Sequence, residues 1–405
     1  SYAWAPRDDV IERSEPRSSA RSWCLSMGGC SAPSAGLPLV SMMLASLAGC
    51  LLVTQNGINT TLRYTAFPNP FMTTALSFSV GVASVLSAAA VHKPNCFSDG
   101  TSLRQAPWYS FLGGPLGTCY VVAAVLLSLP LGFATFQLAA TLGQLTSSLV
   151  CDTIGFLILP KRKPTAWRLF ALAIMCCATI ISIEGLSVEG EWWAVVLYLI
   201  LSFGAGSIFP MQACVNGVMT QHVKTPLRAS CVSFIGGASV MWIATAITSA
   251  TPLADWPDEE SAGPGPAGSE FWMYLGGTCG AFVVSAHVFG VPAIGAARFT
   301  VLFISSQLCT SLIFDGVGAF GYKAMPPSPR RLVGVILAIC ASAAYQLGPP
   351  PMRTWTSTLL RSGWPTRSTL DEIKDARMSR GTRKFQGGDE DADRNCKVDL
   401  AATAA

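Results

Sequence analysis

Charge is what this sequence has least of. Of its 405 residues, 12% are Asp, Glu, Lys or Arg, about half the share usual in soluble globular proteins. Positions 37–348 hold only 13 basic and 11 acidic residues, too few to clothe a soluble body of that length. A soluble enzyme is excluded. So is a nucleic-acid binder, because a net charge of +4 spread along the chain forms no basic face. Histidine is scarcer still: His92, His222 and His287 are scattered. The fourteen Cys include no C-x-x-C pair, and ten of them lie inside apolar runs. They read as small apolar residues rather than metal ligands, so no metal site is expected. A P-loop, an H-E-x-x-H box and a G-x-S-x-G elbow are all missing, which argues against an enzyme and against an ATP-driven pump and leaves no cofactor to expect.

What is present is apolar. Hydrophobic residues make up 51% of the chain, with a mean hydropathy of +0.44. A bilayer core needs roughly 20 mostly apolar residues per helix. Ten runs qualify: Leu37–Leu62, Phe71–Val91, Trp108–Leu129, Thr135–Leu159, Arg168–Ile183, Trp192–Met219, Arg228–Ala250, Phe271–Val291, Arg298–Phe320 and Arg331–Leu347. The pattern lacks the alternating ten-residue segments of a β-barrel. Helices remain, since lipid does not tolerate unpaired backbone. The expected fold is all-α and integral to the membrane.

Basic and acidic loops sort onto opposite sides. Lys93 and Arg104, then Lys161, Arg162, Lys163 and Arg168, then Lys224 and Arg228 mark one side. Glu184, Glu189 and Glu191, then Asp255, Asp258, Glu259, Glu260 and Glu270 mark the other. This predicts both termini in the cytosol. Arg63 and the group Lys323, Arg330 and Arg331 run against the rule. The polar segments 1–36 and 349–405 read as disordered. The chain begins with Ser rather than Met, which reads as a truncated or processed start. The plasma membrane is the expected residence, with an organelle membrane as the alternative.

The two halves repeat. Gly113-Gly114-x-x-Gly117 returns as Gly276-Gly277-x-x-Gly280, a shift of 163 that also carries Gln144 to Gln307, Asp152 to Asp315 and Arg168-Leu169 to Arg331-Leu332. Upstream, at a shift of 156–157, Gln55-x-x-x-Asn59 matches Gln212-x-x-x-Asn216, and Ser77-Phe78-x-x-Gly81 matches Ser233-Phe234-x-x-Gly237. The units are 37–190 and 191–348, five spans each. A copy following an odd number of spans enters the membrane upside down. The expected architecture is therefore ten transmembrane helices in two inverted five-helix repeats, an arrangement whose substrate site lies near the midplane. Inversion also accounts for the misplaced basic residues between the ninth and tenth spans.

The unit Gln55–Asn59, Pro70, Ser77–Gly81, Trp108–Gly114 and Gly143–Gly155 resembles the YdcZ-type branch of the drug/metabolite transporter superfamily. The resemblance covers roughly residues 40–347. It is looser in the second repeat, where Ser306 replaces Gly143 and Phe271 lies opposite Trp108. Single five-span units of that branch would have to pair; here two copies are fused, as in EamA-type members. The resemblance implies a metabolite or drug transporter and names no substrate.

Polar groups inside the spans are the candidates for the site. A charged group at a helix centre costs about 2.5–3.5 kcal/mol on the insertion scale. Asp152 and Asp315 therefore stand out, each expected well inside a span. One reading makes them solute- or proton-carrying groups; the other has them bond a neighbouring helix, cap a broken span or sit near headgroups. Gln144 and Gln307 share their helix face at i−8, with Ser148 and Ser311 between. Gln55 with Asn59 and Gln212 with Asn216 form i, i+4 amide pairs that either line the cavity or hold helices together. Arg298 reads as a snorkelling anchor, and His287 as a packing residue. The expected function is secondary transport of a small metabolite by alternating access, with protons as a candidate coupling ion. The alternative is a non-transporting receptor or scaffold. Candidate partners are a small-molecule solute, the bilayer, protons and a second copy of the chain.

Overall fold

The computed structural model describes residues 36–92, 103–159, 161–183, 192–251 and 269–348. The polar termini and most of the acidic loop residues lie outside the described residues. Within them are ten α-helices: α1 Gly36–Thr65, α2 Pro70–His92, α3 Gly113–Leu131, α4 Phe133–Ile154, α5 Ala166–Ser182, α6 Trp192–Val223, α7 Pro226–Ser249, α8 Gly276–Ile294, α9 Ala296–Val317 and α10 Pro329–Leu347. Seven helical stretches are long and apolar enough to cross a membrane. Three helices are the exceptions. Helix α4 has the length but carries Gln137, Thr141, Gln144, Ser148 and Asp152 along it, α5 is only 17 residues long, and α8 counts among the shorter apolar helices.

The helix ends follow from local chemistry. Thr165, Thr225 and Ser328 cap α5, α7 and α10, each accepting from the backbone N–H of an Arg three residues on. Pro226 and Pro329 occupy the first helical position, where a missing N–H costs nothing. Gly155 and Gly318 end α4 and α9 in the left-handed region, at φ 68° and 65°. Gly132 (φ 76°, ψ 155°) and Gly295 (φ 86°, ψ 146°) make the elbows between α3 and α4 and between α8 and α9.

Packing repeats with the sequence. Helix α1 packs on α8 and α9, and its counterpart α6 packs on α3 and α4. Helix α2 packs on α7, and α5 on α10, each against its own counterpart. Glycines make the close approaches possible. A Cβ on Gly114 would run into the Ser233 carbonyl and the Gly237 amide; one on Gly277 would meet the Ser77 carbonyl and the Gly81 amide. Large apolar side chains such as Ile200, Ile243, Ile313 and Val317 face outward.

Candidate functional site

The two aspartates lie closer to helix ends than the apolar runs suggest. The left-handed Gly155 and Gly318 stop α4 and α9 early, so Asp152 and Asp315 each fall in a final turn. From there they do different things. Asp315, 4% exposed, reaches across to the other repeat. Its Oδ1 accepts from the Phe133 N–H at 2.7 Å and its Oδ2 from the Ala134 N–H at 2.9 Å. These are the first amides of α4, which have no intrahelical partner and sit at the positive end of the helix dipole. Asp152 instead pairs within its own repeat, its Oδ2 lying 2.7 Å from Arg168 Nη1. Arg168 also lies over the Tyr345 ring at 5.1 Å. The repeat counterpart of Arg168, Arg331, is buried, with its guanidinium nitrogens 3.8 and 3.9 Å from Met325 Sδ.

The surroundings differ in the same sense. Leu131 through Thr135, the α3–α4 elbow, is buried throughout. A Cβ on Gly132 would meet Met325 Cε at 2.7 Å and Asp315 Oδ2 at 3.1 Å. A cavity of about 180 Å³ remains beside it, lined by Ser128, Gly132, Phe133, Asp315, Tyr322 and Met325 among others. The α8–α9 elbow is open: Gly295, Ala296 and Arg298 are exposed, and no atom lies within 4 Å of a Cβ on Gly295.

The amide pairs follow the same division. Gln55 and Asn59 are buried against Gly280 and Gly276 of α8, and Asn59 has no partner for either side-chain polar atom. Gln212 and Asn216 sit against Gly117 and Gly113 of α3 but are only half-buried. Gln307 is fully buried, donating to Thr141 Oγ1 at 3.2 Å, and its Oε1 has no partner. Gln144 is half-buried. His287 Nδ1–H donates to the Val283 carbonyl one turn back, and its ring packs on Phe299 and Phe303.

One polar group escapes the sequence reading. Asn56 Nδ2 donates to the Tyr120 hydroxyl at 3.2 Å, which donates to Gln137 Oε1 at 3.3 Å. All three are buried. Gln137 and Thr141 extend the Gln144–Ser148–Asp152 stripe upward at helical spacing, so one of the three members lies on a pattern the sequence shows. Its counterparts in the second repeat are Ala213, Val283 and Thr300.

The sequence matches a family described as "Putative inner membrane exporter, YdcZ" twice, over residues 40–181 and 197–344. A solved structure titled "Crystal structure of protein" is 18% identical, with a TM-score of 0.47, over 75% of this chain and 96% of that one. No curated protein matches the chain.

Proposed function

The chain belongs to this YdcZ family of the drug/metabolite transporter superfamily, with two copies of the unit fused, and on that premise we propose that it exports a small metabolite by alternating access. The ten helices are read as ten spans in two inverted repeats, with both termini cytosolic and the plasma membrane as the site of action. The observation that carries the reading is the unequal state of two equivalent elbows. Residues 131–135 are sealed while Gly295, Ala296 and Arg298 are exposed. A carrier closed at one end and open at the other has this form, and inverted repeats supply both ends from one design. In the topology we infer, the α8–α9 elbow falls on the cytosolic side, and on this reading the open end faces inward.

The solute path we infer runs between α1, α4, α6 and α9. Gln144, Gln307, Gln55, Asn59, Gln212 and Asn216 line it, and the pairs change exposure as the ends open and close. Asp152 and Asp315 are the groups through which proton coupling would run. The test is uptake and counterflow in proteoliposomes across a metabolite panel, with and without a pH gradient. Movement of at least one solute is expected. If none moves under any ion gradient, a receptor or scaffold is the better reading. If pH-driven flux survives unchanged in both Asp152→Asn and Asp315→Asn, coupling does not run through them.

A further inference from the structure

Asp152 and Asp315 ride on the same turn. Beyond each, a left-handed Gly (Gly155, Gly318) is followed two residues on by a non-glycine with positive φ, Leu157 at 53° and Phe320 at 61°. The Arg162 N–H donates to the Asp152 carbonyl at 2.8 Å, and the Met325 N–H to the Asp315 carbonyl at 2.7 Å. Three residues later Thr165 and Ser328 cap helices that begin with Arg168 and Arg331 in their first turn. The elbow on which the Asp315 turn docks has its counterpart too, with the backbone angles of Gly132 repeated at Gly295. The turns part at Gly321, which has φ 80° where Ile158 does not, and the docking differs as well. Asp315 caps α4 while Arg331 rests beside a thioether. Asp152 holds its arginine while the first amides of α9 stand at an open elbow.

We propose that the two aspartates are alternating latches of one gate, each either closing the opposite repeat's elbow or parked on its own arginine. In the state seen here, Asp315 is latched on Phe133 and Ala134, and Asp152 is parked on Arg168. In the opposite state, Asp152 latches on the N–H groups of Ala296 and Ala297, and Asp315 moves to Arg331. Arg331 is placed for that role: a buried guanidinium against Met325 Sδ gains by meeting a carboxylate. No net charge is buried or exposed by the exchange, so two unlike states can lie close in energy, which a carrier requires. The inference rests on the alternating-access reading.

Hydrogen exchange of the full-length protein in nanodiscs, read at the two elbows, tests it. An Asn offers one acceptor oxygen where the carboxylate offers two, so it cannot reproduce both short bonds, and for Asp152 the parked pair with Arg168, being partly exposed, is the weaker of its two contacts. In Asp315→Asn, amides 133–134 exchange faster by on the order of ten-fold, and amides 296–299 become slower by roughly two-fold or more as the other state gains population. In Asp152→Asn the signs reverse, with slower exchange at 133–134, at the far end of the molecule from the substitution. Asp315→Glu, which keeps the carboxylate, returns both elbows towards the parent. Faster exchange at 133–134 in Asp315→Asn with no change at 296–299 overturns the proposal and leaves a simple helix cap. If Asp315→Asn does not fold, Asp152→Asn decides alone: unchanged exchange at 133–134 overturns the proposal. Solute flux is measured on the same preparations. Reciprocal exchange without any flux sinks the transport reading and spares the latch; flux without reciprocity does the reverse.

Discussion

The rings of Phe78 and Phe234 meet with centroids 5.4 Å apart and planes tilted by 44°. They hold equivalent positions in the two sequence repeats, so each touches its own counterpart. Each ring also covers the other repeat's glycine: a Cβ on Gly81 would strike Phe234, and one on Gly237 would strike Phe78. Helices α2 and α7 thus form a self-complementary seam, and α3 and α8 press into its two sides through Gly114 and Gly277.

That seam leaves no room at the glycines. Gly114→Ala and Gly277→Ala each place a methyl group against backbone atoms of α7 or α2, which cannot rotate away. Each is expected to cost about 1–3 kcal/mol, the range for overpacking, seen as a lower unfolding midpoint in detergent. The two losses should be similar because the contacts are duplicated. Gly204→Ala, in open space on α6, is the control, expected neutral or slightly stabilising. A Gly114→Ala midpoint equal to the control's would mean that the helices are not this close.

The relay from Asn56 through Tyr120 to Gln137 is buried and belongs to one repeat only. Tyr120→Phe removes the hydroxyl and strands Asn56 Nδ2 and Gln137 Oε1 away from water. A stranded group costs about 1–3 kcal/mol. Adding Gln137→Leu takes away one of the orphans, so the double variant should be less destabilised than the sum of the singles. Simple additivity in a double-mutant cycle would show that the three side chains do not act as a unit.

Arg168 and Asp152 make a short ion pair, but their side chains are 23% and 18% exposed. Partial exposure brings screening and discounts the pair towards the surface range of below about 1 kcal/mol. Arg168→Gln should lower the unfolding midpoint only slightly, and less at 1 M salt than at 0.1 M. A loss of several kcal/mol would mean that the pair is far less hydrated than its exposure indicates.

The helices were legible because hydropathy and length are local properties: each of the ten apolar runs corresponds to one of the ten described helices. Their ends were less so. The apolar run to Leu159 places Asp152 well inside its span, whereas the left-handed conformation of Gly155 ends the helix at Ile154, five residues sooner. Arg63, which runs against the loop rule, lies in the last turn of α1 and donates to the Pro68 carbonyl and the Tyr64 hydroxyl. The repeat pointed to both aspartates but not to their partners. In the sequence Arg168 marks only the basic side. The Phe133 and Ala134 amides, more than 180 residues from Asp315, are backbone groups with no signature in the sequence. The asymmetry between the elbows was hidden for a deeper reason, since a sequence with two matching halves cannot say which of them is closed.

Gln307 separates packing from solute binding. It is fully buried, makes one hydrogen bond of 3.2 Å to Thr141, and leaves Oε1 without a partner. If the residue served only to hold α4 to α9, a better-satisfied or apolar side chain would serve as well, because an interhelical hydrogen bond in a membrane averages about 0.6 kcal/mol. Gln307→Met has nearly the same volume, removes the orphaned oxygen, and leaves Thr141, whose hydroxyl also donates to the Gln137 carbonyl at 2.8 Å. Stability should be unchanged or raised by up to about 1 kcal/mol. Flux of any solute identified in proteoliposomes should fall by ten-fold or more, the equivalent of about 1.4 kcal/mol of lost recognition. The two readouts discriminate between the roles. Lower stability with full transport assigns Gln307 to packing. Intact stability with lost transport means that an acceptor is held ready in the core at a cost to the fold, which only a passing solute can offset.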